Sequence, residues 1–394
     1  MKTIWIEGLE IAGLVHDLEK GFKNAGYNVI TFAEKNKFYN YTYDIDKYNF
    51  LNDLIKLKLL RYPFLTRLAL IFINKFKPEL RDKFFKKLQL NIIIRQVDFY
   101  LPIYDTHFIK EEDFEIISEN GIKIIGYFLG SEIRIYDLFC KQFDVDRNFF
   151  GTEYLNESFI GKAKKLHYFE KFAHCIYTGP DLMALAKRPY LHLQLPFDTA
   201  KFKYNPEQLN IPRILNCPTN ADAKGTSIVL QIIEELKNEG LQFQFQYLKN
   251  IPHSELINCL SESDILIDEL FGHGPGLLSF EAMASGCVVL TRYYEESPNC
   301  FRPPIISVTK YNLKAKLKEV IDDIDLRKTL AQAGRDYLLK NNELNKVIQD
   351  MKVVMEKDKD EIMKMAYDYL PDFNYVKEKI LTKEQIDILE RINY

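Results

Sequence analysis

Apolar and polar positions follow two rhythms along this chain. The opening segment KTIWI is a short apolar run, and positions from about Leu14 to Asn24 repeat at helical spacing. Gly26 closes that helix and YNVITF follows as a second run, which together predict a βαβ start. FYLPIY, IKIIGYFLG and CIYTG are continuous apolar runs, the mark of strands buried on both faces. The second half restarts the alternation: strand ILNC, helix TSIVLQIIEELKNEG, strand QFQFQYL, short helix HSELINCLSES, then strands DILID and CVVLT. Beyond Lys310 the pattern is helical to the end, with PDFNY as an interruption. Strand and helix alternation of this kind predicts an α/β protein with two doubly wound, Rossmann-like domains.

The stretch LPFDTAKFKYNPEQLNIPR is polar, carries three prolines and has no clear period, so it marks the junction. The expected organisation is an N-terminal domain over 1–195, a connector over 196–212, a C-terminal domain over 213–360, and helices over 361–394 that return to the N-terminal domain. Two such domains would leave a cleft between them, and ligands of open parallel sheets sit at the carboxyl ends of the strands.

Composition narrows the class. A length of 394 residues with 47% hydrophobic and 28% charged residues suits two ordinary soluble cores. The net charge of -3 gives the whole chain no attraction for nucleic acid. Cysteines at 140, 175, 217, 259, 287 and 300 form no CxxC pair, so neither a zinc site nor a disulfide framework is expected, and no metal is. MKTIWIEGLEIAGL lacks the long apolar region of a secretory signal, and every apolar run is far short of the roughly 20 residues of a membrane span. A cytoplasmic protein is the expectation. The segment 55–90 holds ten Lys or Arg and two acids, interleaved with Leu, Phe and Ile. It fits a basic amphipathic helix lying on the inner face of an anionic membrane, and it also fits a helix pair with a solvated basic face.

The chemistry concentrates at FGHGPGLLSFEAMASG, residues 271–286. Between Glu269 and Arg292 the only full charge is Glu281. A strand delivers the chain into a glycine-rich turn, where Gly272, Gly274 and Gly276 permit positive φ and close backbone approach. A helix starts near Gly276 or Leu277, and its free N–H groups make an anion site. Glu281, one turn in, lies on a helix apolar nearly all round. A buried carboxylate needs a partner: either the paired hydroxyls of a ribose, or backbone N–H groups or an Arg. In CPTNADAKGTS, Lys224 and Gly225 stand at a helix start, as a phosphate contact or as a solvated lysine.

These residues resemble the retaining glycosyltransferases of the GT-B fold, in the broad glycosyltransferase family 4 group, and within it a polysaccharide-type subset. EAMASG at 281–286 matches the second half of that family's paired-acid signature, Gly276 its glycine, and Lys224–Gly225 its Lys before the first C-domain helix. YFLGSEIR at 127–134 and LPFD at 195–198 resemble the subset's N-half segment and linker entry. The resemblance implies that Glu281 binds the donor ribose and Lys224 neutralises the diphosphate. The turns holding Gly225, Gly274, Pro275, Gly276 and Leu277 would approach phosphate and sugar. The family's first acid falls on His273, paired with Lys224 as the catalytic candidates, and the Arg five residues before the Lys falls on Thr219, at the donor edge. Gly13, in the turn EGLEIAG, and Ser131 and Arg134 are the acceptor-side candidates; a plain strand-to-helix turn, and an Arg134–Glu132 pair, are the alternatives there. The implied partners are a nucleotide-diphosphate sugar as substrate, with no further cofactor, and a glycan or lipid-linked acceptor in cell-surface polysaccharide or glycoconjugate synthesis. A catalytically silent nucleotide- or glycan-binding GT-B protein and a nucleotide-sugar epimerase are the rival readings. A dehydrogenase is disfavoured because no G-x-G-x-x-G follows the first strand.

Overall fold

The computed structural model describes residues 1–11, 13–34, 41–73, 78–103, 106–130, 132–145, 158–272, 274–295 and 301–392. The chain forms two compact units, Met1–Leu138 with Glu157–Leu193 and Ile348–Tyr394, and Phe139–Asn156 with Gln194–Val347. In chain order the elements are β1 (Thr3–Leu9), α1 (Leu14–Asn24), β2 (Asn28–Glu34), α2 (Phe50–Lys56), α3 (Pro63–Ile73), α4 (Pro78–Gln96), β3 (Phe99–Ile103), α5 (Asp113–Glu119), β4 (Lys123–Tyr127), α6 (Tyr136–Phe143), α7 (Phe159–Phe172), β5 (Ala173–Thr178) and β6 (Leu191–His192). They continue with β7 (Arg213–Asn216), α8 (Thr226–Asn238), β8 (Gln244–Tyr247), α9 (His253–Ser261), β9 (Ile265–Ile267), α10 (Leu277–Ser285), β10 (Val288–Thr291), β11 (Ile306–Ser307), α11 (Leu313–Asp322), α12 (Ile324–Asn341), α13 (Leu344–Glu356), α14 (Lys359–Tyr369), α15 (Phe373–Ile380) and α16 (Lys383–Arg391).

The first unit is built on a parallel sheet in the order β2-β1-β3-β4-β5-β6. Every residue of β3 and β5 is buried, as continuous apolar runs require. Aromatic rings fill one side: Phe50 lies 5.0 Å from Phe108 and 5.1 Å from Phe85 between ring centroids. Leu370, Phe373, Val376, Leu381 and Leu389 of the C-terminal helices belong to the same core. PDFNY interrupts that region less than its polarity suggests. Phe373 and Val376 are anchored in the core, so α15 already begins at Phe373 and residues 370–372 alone separate it from α14.

One carboxylate lies deep in this unit. Glu7 of β1 is fully buried and accepts hydrogen bonds from the His107 N–H (2.7 Å), the Tyr100 hydroxyl (2.9 Å) and the Gln89 amide. Burial pushes its carboxyl up to about 7, against the lowering pull of those donors. Between its ordinary value of 4.5 and about 7 the folded chain therefore keeps a proton that the unfolded chain has released. The stability from that proton is full below 4.5 and is lost as pH rises to 7, at about 1.4 kcal/mol per pH unit. The Oε1 of Gln89 has no hydrogen-bond partner among the described residues, so an amide flip would let it accept the Glu7 proton. Glu7→Gln should flatten the decline in stability between about pH 5 and 7 in urea unfolding. An unchanged slope would show that Glu7 is already ionised in the fold.

The second unit has the parallel order β11-β10-β9-β7-β8. The chain enters at β7, goes outward to β8, then crosses to β9 on the other side. The winding reverses between β7 and β9, which is where an open parallel sheet leaves a crevice at its carboxyl edge. Residues 196–212, the sequence's connector, are packed into this unit. Phe197 stacks on Phe202 at 5.0 Å and meets Phe280 of α10 edge-on at 6.2 Å. The Asn205 carbonyl rests on Gly286, where an added Cβ would come within 2.2 Å of it. Isolated aromatic anchors such as these leave no periodic trace. Among the described residues no helix is long and apolar enough to cross a membrane.

Candidate functional site

Two loops meet at the β7/β9 reversal. The first runs from Asn216 at the end of β7 to α8 and folds as a tight turn, closed by Thr226 N–H to Ala221 O at 2.9 Å. Gly225 caps α8 with φ +73, and a Cβ there would come within 2.9 Å of the Phe271 ring, so the position requires glycine on two grounds. The second loop leaves β9 through Asp268 and Glu269 and ends at α10. The Leu270 N–H donates to the Lys224 carbonyl at 3.2 Å and ties the two together.

Lys224 lies between acids. Its ammonium donates to Asp268 Oδ1 and stands 4.0 Å from Glu269 Oε2. Asp268 is buried and its second oxygen accepts from Ser279 Oγ at 2.7 Å. Burial works against the Lys224 charge, but Asp268 and Glu269 outweigh it and hold the ammonium above the ordinary lysine range. Cys217 shares the neighbourhood: burial pushes its thiol up to about 11, Lys224 pulls it down, and the Asp268 and Glu281 charges add to the rise. That thiol stays protonated and is no nucleophile at neutral pH.

Glu281 is 3% exposed on α10. One oxygen of its carboxylate meets an imidazole: Oε1 lies 2.6 Å from Nε2 of His253, the first residue of α9. The pair fixes one end of the carboxylate. Sequence reasoning missed His253, because a lone His at a helix start carries no signal and its acid lies 28 residues away.

The helix ends complete the site. Neither α8 nor α10 has a side-chain hydrogen bond at its N-cap, Gly225 or Gly276. In α8 the Thr226 and Ile228 N–H groups turn back on the Ala221 and Gly225 carbonyls, and in α10 the Phe280 N–H turns back on Gly276, which leaves Ser227 and Leu277 to Ser279 to present N–H groups at this edge. The Thr226 Oγ1 in the first turn of α8 and the Asn216 Oδ1 at the end of β7 are buried without a hydrogen-bond partner among the described residues. The glycine turn differs from expectation in its reason. Gly276 has φ -81 with extended ψ, and neither Gly272 nor Gly274 has positive φ. A Cβ on Gly272 would come within 1.9 Å of Glu269 Oε1 and displace that carboxylate, whereas a Cβ on Gly274 or Gly276 would meet open space. Pro275 and Leu277 are half-buried beside them, and Thr219 is exposed on the β7–α8 loop. His273 lies outside the described residues. Of the Arg side chains near β10, Arg302 pairs with Glu295 at 2.6 Å and the Arg292 guanidinium donates to the Tyr293 carbonyl.

In the first unit Gly13 caps α1 with φ +85. Glu10 fills that helix end, accepting from the Val15 and His16 N–H groups at 3.4 and 3.3 Å and from the Tyr43 hydroxyl. Burial raises the Glu10 carboxyl, and these donors oppose the rise. Arg134 folds back over Gly130, its backbone N–H donating to the Gly130 carbonyl at 2.9 Å. Glu132 caps its own turn through the Leu129 and Gly130 N–H groups, and burial raises its carboxyl despite the nearby Arg134 charge. Ser131 lies outside the described residues.

Comparison with solved structures decides the architecture. The chain is similar to a sucrose-phosphate synthase from Thermosynechococcus elongatus, with a TM-score of 0.53 at 13% identity, covering 90% of this chain and 98% of that one. An alpha-glucosyltransferase solved with UDP-glucose and DNA containing an abasic site superposes with a TM-score of 0.52 at 12% identity, over 90% and 98% of the two chains. The structure of TarM gives 0.52 at 9% identity, over 91% and 99%. The fold is GT-B, that of the glycosyltransferases. Residues 231–352 of the GT-B chain match the family model described as glycosyl transferase-like, a span that includes Glu281 and the glycine turn. No curated protein matches.

Proposed function

We propose that this GT-B protein is a glycosyltransferase that moves a sugar from a nucleotide diphosphate to an acceptor hydroxyl with retention. The observation that carries the reading is that the N-termini of α8 and α10 both meet Lys224, which precedes the Gly225 cap of α8 and shares Asp268 with Ser279 of α10, where the second sheet reverses its winding. Fixed N–H dipoles beside a lysine suit a diphosphate, and they stabilise it most as it departs with its full charge. Glu281, held at one oxygen by His253, receives the ribose hydroxyls. The bond between the anomeric carbon and the diphosphate oxygen breaks, the acceptor oxygen bonds on the same face, and its proton passes to the leaving phosphate. Lys224 and the helix ends supply the charge stabilisation that a metal supplies in other transferases.

In the first unit the α1 N-terminus is already taken by Glu10, so that helix end does not hold an acceptor phosphate. The acceptor in this reading is a glycan or lipid-linked hydroxyl. Incubation with pooled UDP-, GDP-, ADP- and TDP-sugars tests the reading. Nucleoside diphosphate should be released slowly from donors of one base, and that diphosphate should compete. Binding without any release would replace the transferase with a nucleotide-binding protein, and absence of both would remove the site altogether.

A further inference from the structure

The first unit carries a surface that the donor site does not explain. On α3, Phe64 is 71% exposed, Leu65 60%, Leu68 40% and Ile71 59%, and Tyr62 just before it is 57% exposed. Single exposed apolar residues are ordinary, but a contiguous set of large ones on one helix marks an interaction site. Positions 64, 68 and 71 follow the i, i+4, i+7 spacing and form one stripe, with Leu65 at its margin. The stripe has a cationic rim. Lys56, Lys58 and Arg61 precede α3 and Arg67 lies on it, all exposed, and α3 itself contains no acid. The nearby Asp53 is buried against Lys56, whose side chain remains 76% exposed. On α4, Lys83 and Lys87 expose further positive charge, while Arg81 pairs with Asp82 at 3.5 Å and Glu79 is exposed in the same turn.

We propose that α3 docks this protein on an anionic lipid bilayer, with its apolar stripe in the headgroup boundary and the rim of Lys and Arg on the lipid phosphates. An apolar stripe ringed by bases matches a surface that is greasy inside and negative outside. A hydrophobic groove on a protein partner would give the basic rim no counter-charge. At about 16 Å the helix is far too short to span a core of about 30 Å, so it lies in the interface plane. Tyr62 sits at the end of the stripe with the Arg61 guanidinium 5.3 Å from its ring, an aromatic and a base placed at one depth.

The test needs no turnover, so it stands or falls separately from the transferase reading. The full chain is floated with vesicles of phosphatidylcholine alone and of equal parts phosphatidylcholine and phosphatidylglycerol. Binding is expected only to the second, and it should be lost at high salt. Leu65→Glu/Leu68→Glu and Lys58→Glu/Arg67→Glu should each weaken partition by about tenfold or more. These side chains are exposed, so the variants should melt with the parent. Val353→Glu, on another exposed face of the same unit, should change nothing. Absence of binding to anionic vesicles, binding indifferent to the α3 changes, or α3-dependent self-association without vesicle binding would each overturn the proposal.

Discussion

Lys224→Ala should lower transfer by about a hundredfold or more, the scale of losing one preorganised charge contact to a departing anion. It should also destabilise the second unit. Asp268 is buried, and removal of its cation leaves it with Ser279 alone. Breaking a buried pair in this way costs about 3–5 kcal/mol. The two effects can be separated. Lys224→Ala/Asp268→Asn removes the stranded charge together with the lysine, so stability should return towards that of the parent while transfer stays lost. Urea unfolding and nucleoside diphosphate release on the same variants read both quantities. Recovery of transfer in the double variant would show that Lys224 serves the fold and not the diphosphate.

Glu281→Ala should weaken nucleotide binding by about tenfold to a hundredfold, the range for hydrogen bonds to a charged group. The sharper form of this expectation is a thermodynamic cycle. If the carboxylate holds the ribose, a 2′-deoxynucleoside diphosphate should bind the parent more weakly than its ribose counterpart, and the difference should vanish in Glu281→Ala. Isothermal titration of the two ligands against parent and variant supplies the cycle. His253→Ala should reduce the same difference without abolishing it, because His253 acts through the carboxylate it orients. If the ribose preference is equal in parent and Glu281→Ala, the acid belongs to the α9–α10 contact alone.

Much of this was legible in the sequence because it is local. A continuous apolar run sets a buried strand, a periodic run sets a helix, and a turn rich in glycine joins them, so β7, β9, α8 and α10 can be placed from pattern. The partners of the charged residues were not legible. Lys224 meets Asp268 from 44 residues away and Glu281 meets His253 from 28, and tertiary pairings of that kind leave no mark on periodicity. The rationale for the glycines also changed. Gly274 and Gly276 leave open space beside the helix end, whereas Gly272 leaves room for the Glu269 carboxylate. Glu10 is a similar case: EGLEIAG shows a turn after a strand, but only the fold shows its second acid filling the helix end that an anion would otherwise occupy.

A crystal soaked with the nucleoside diphosphate that competes best gives the most direct test. The account predicts ribose hydroxyls on the Glu281 carboxylate, with the diphosphate against the Ser227 N–H of α8 and the first N–H groups of α10 and within reach of Lys224. A nucleotide bound elsewhere, with Glu281 held by His253 and Lys224 by Asp268 alone, would contradict it.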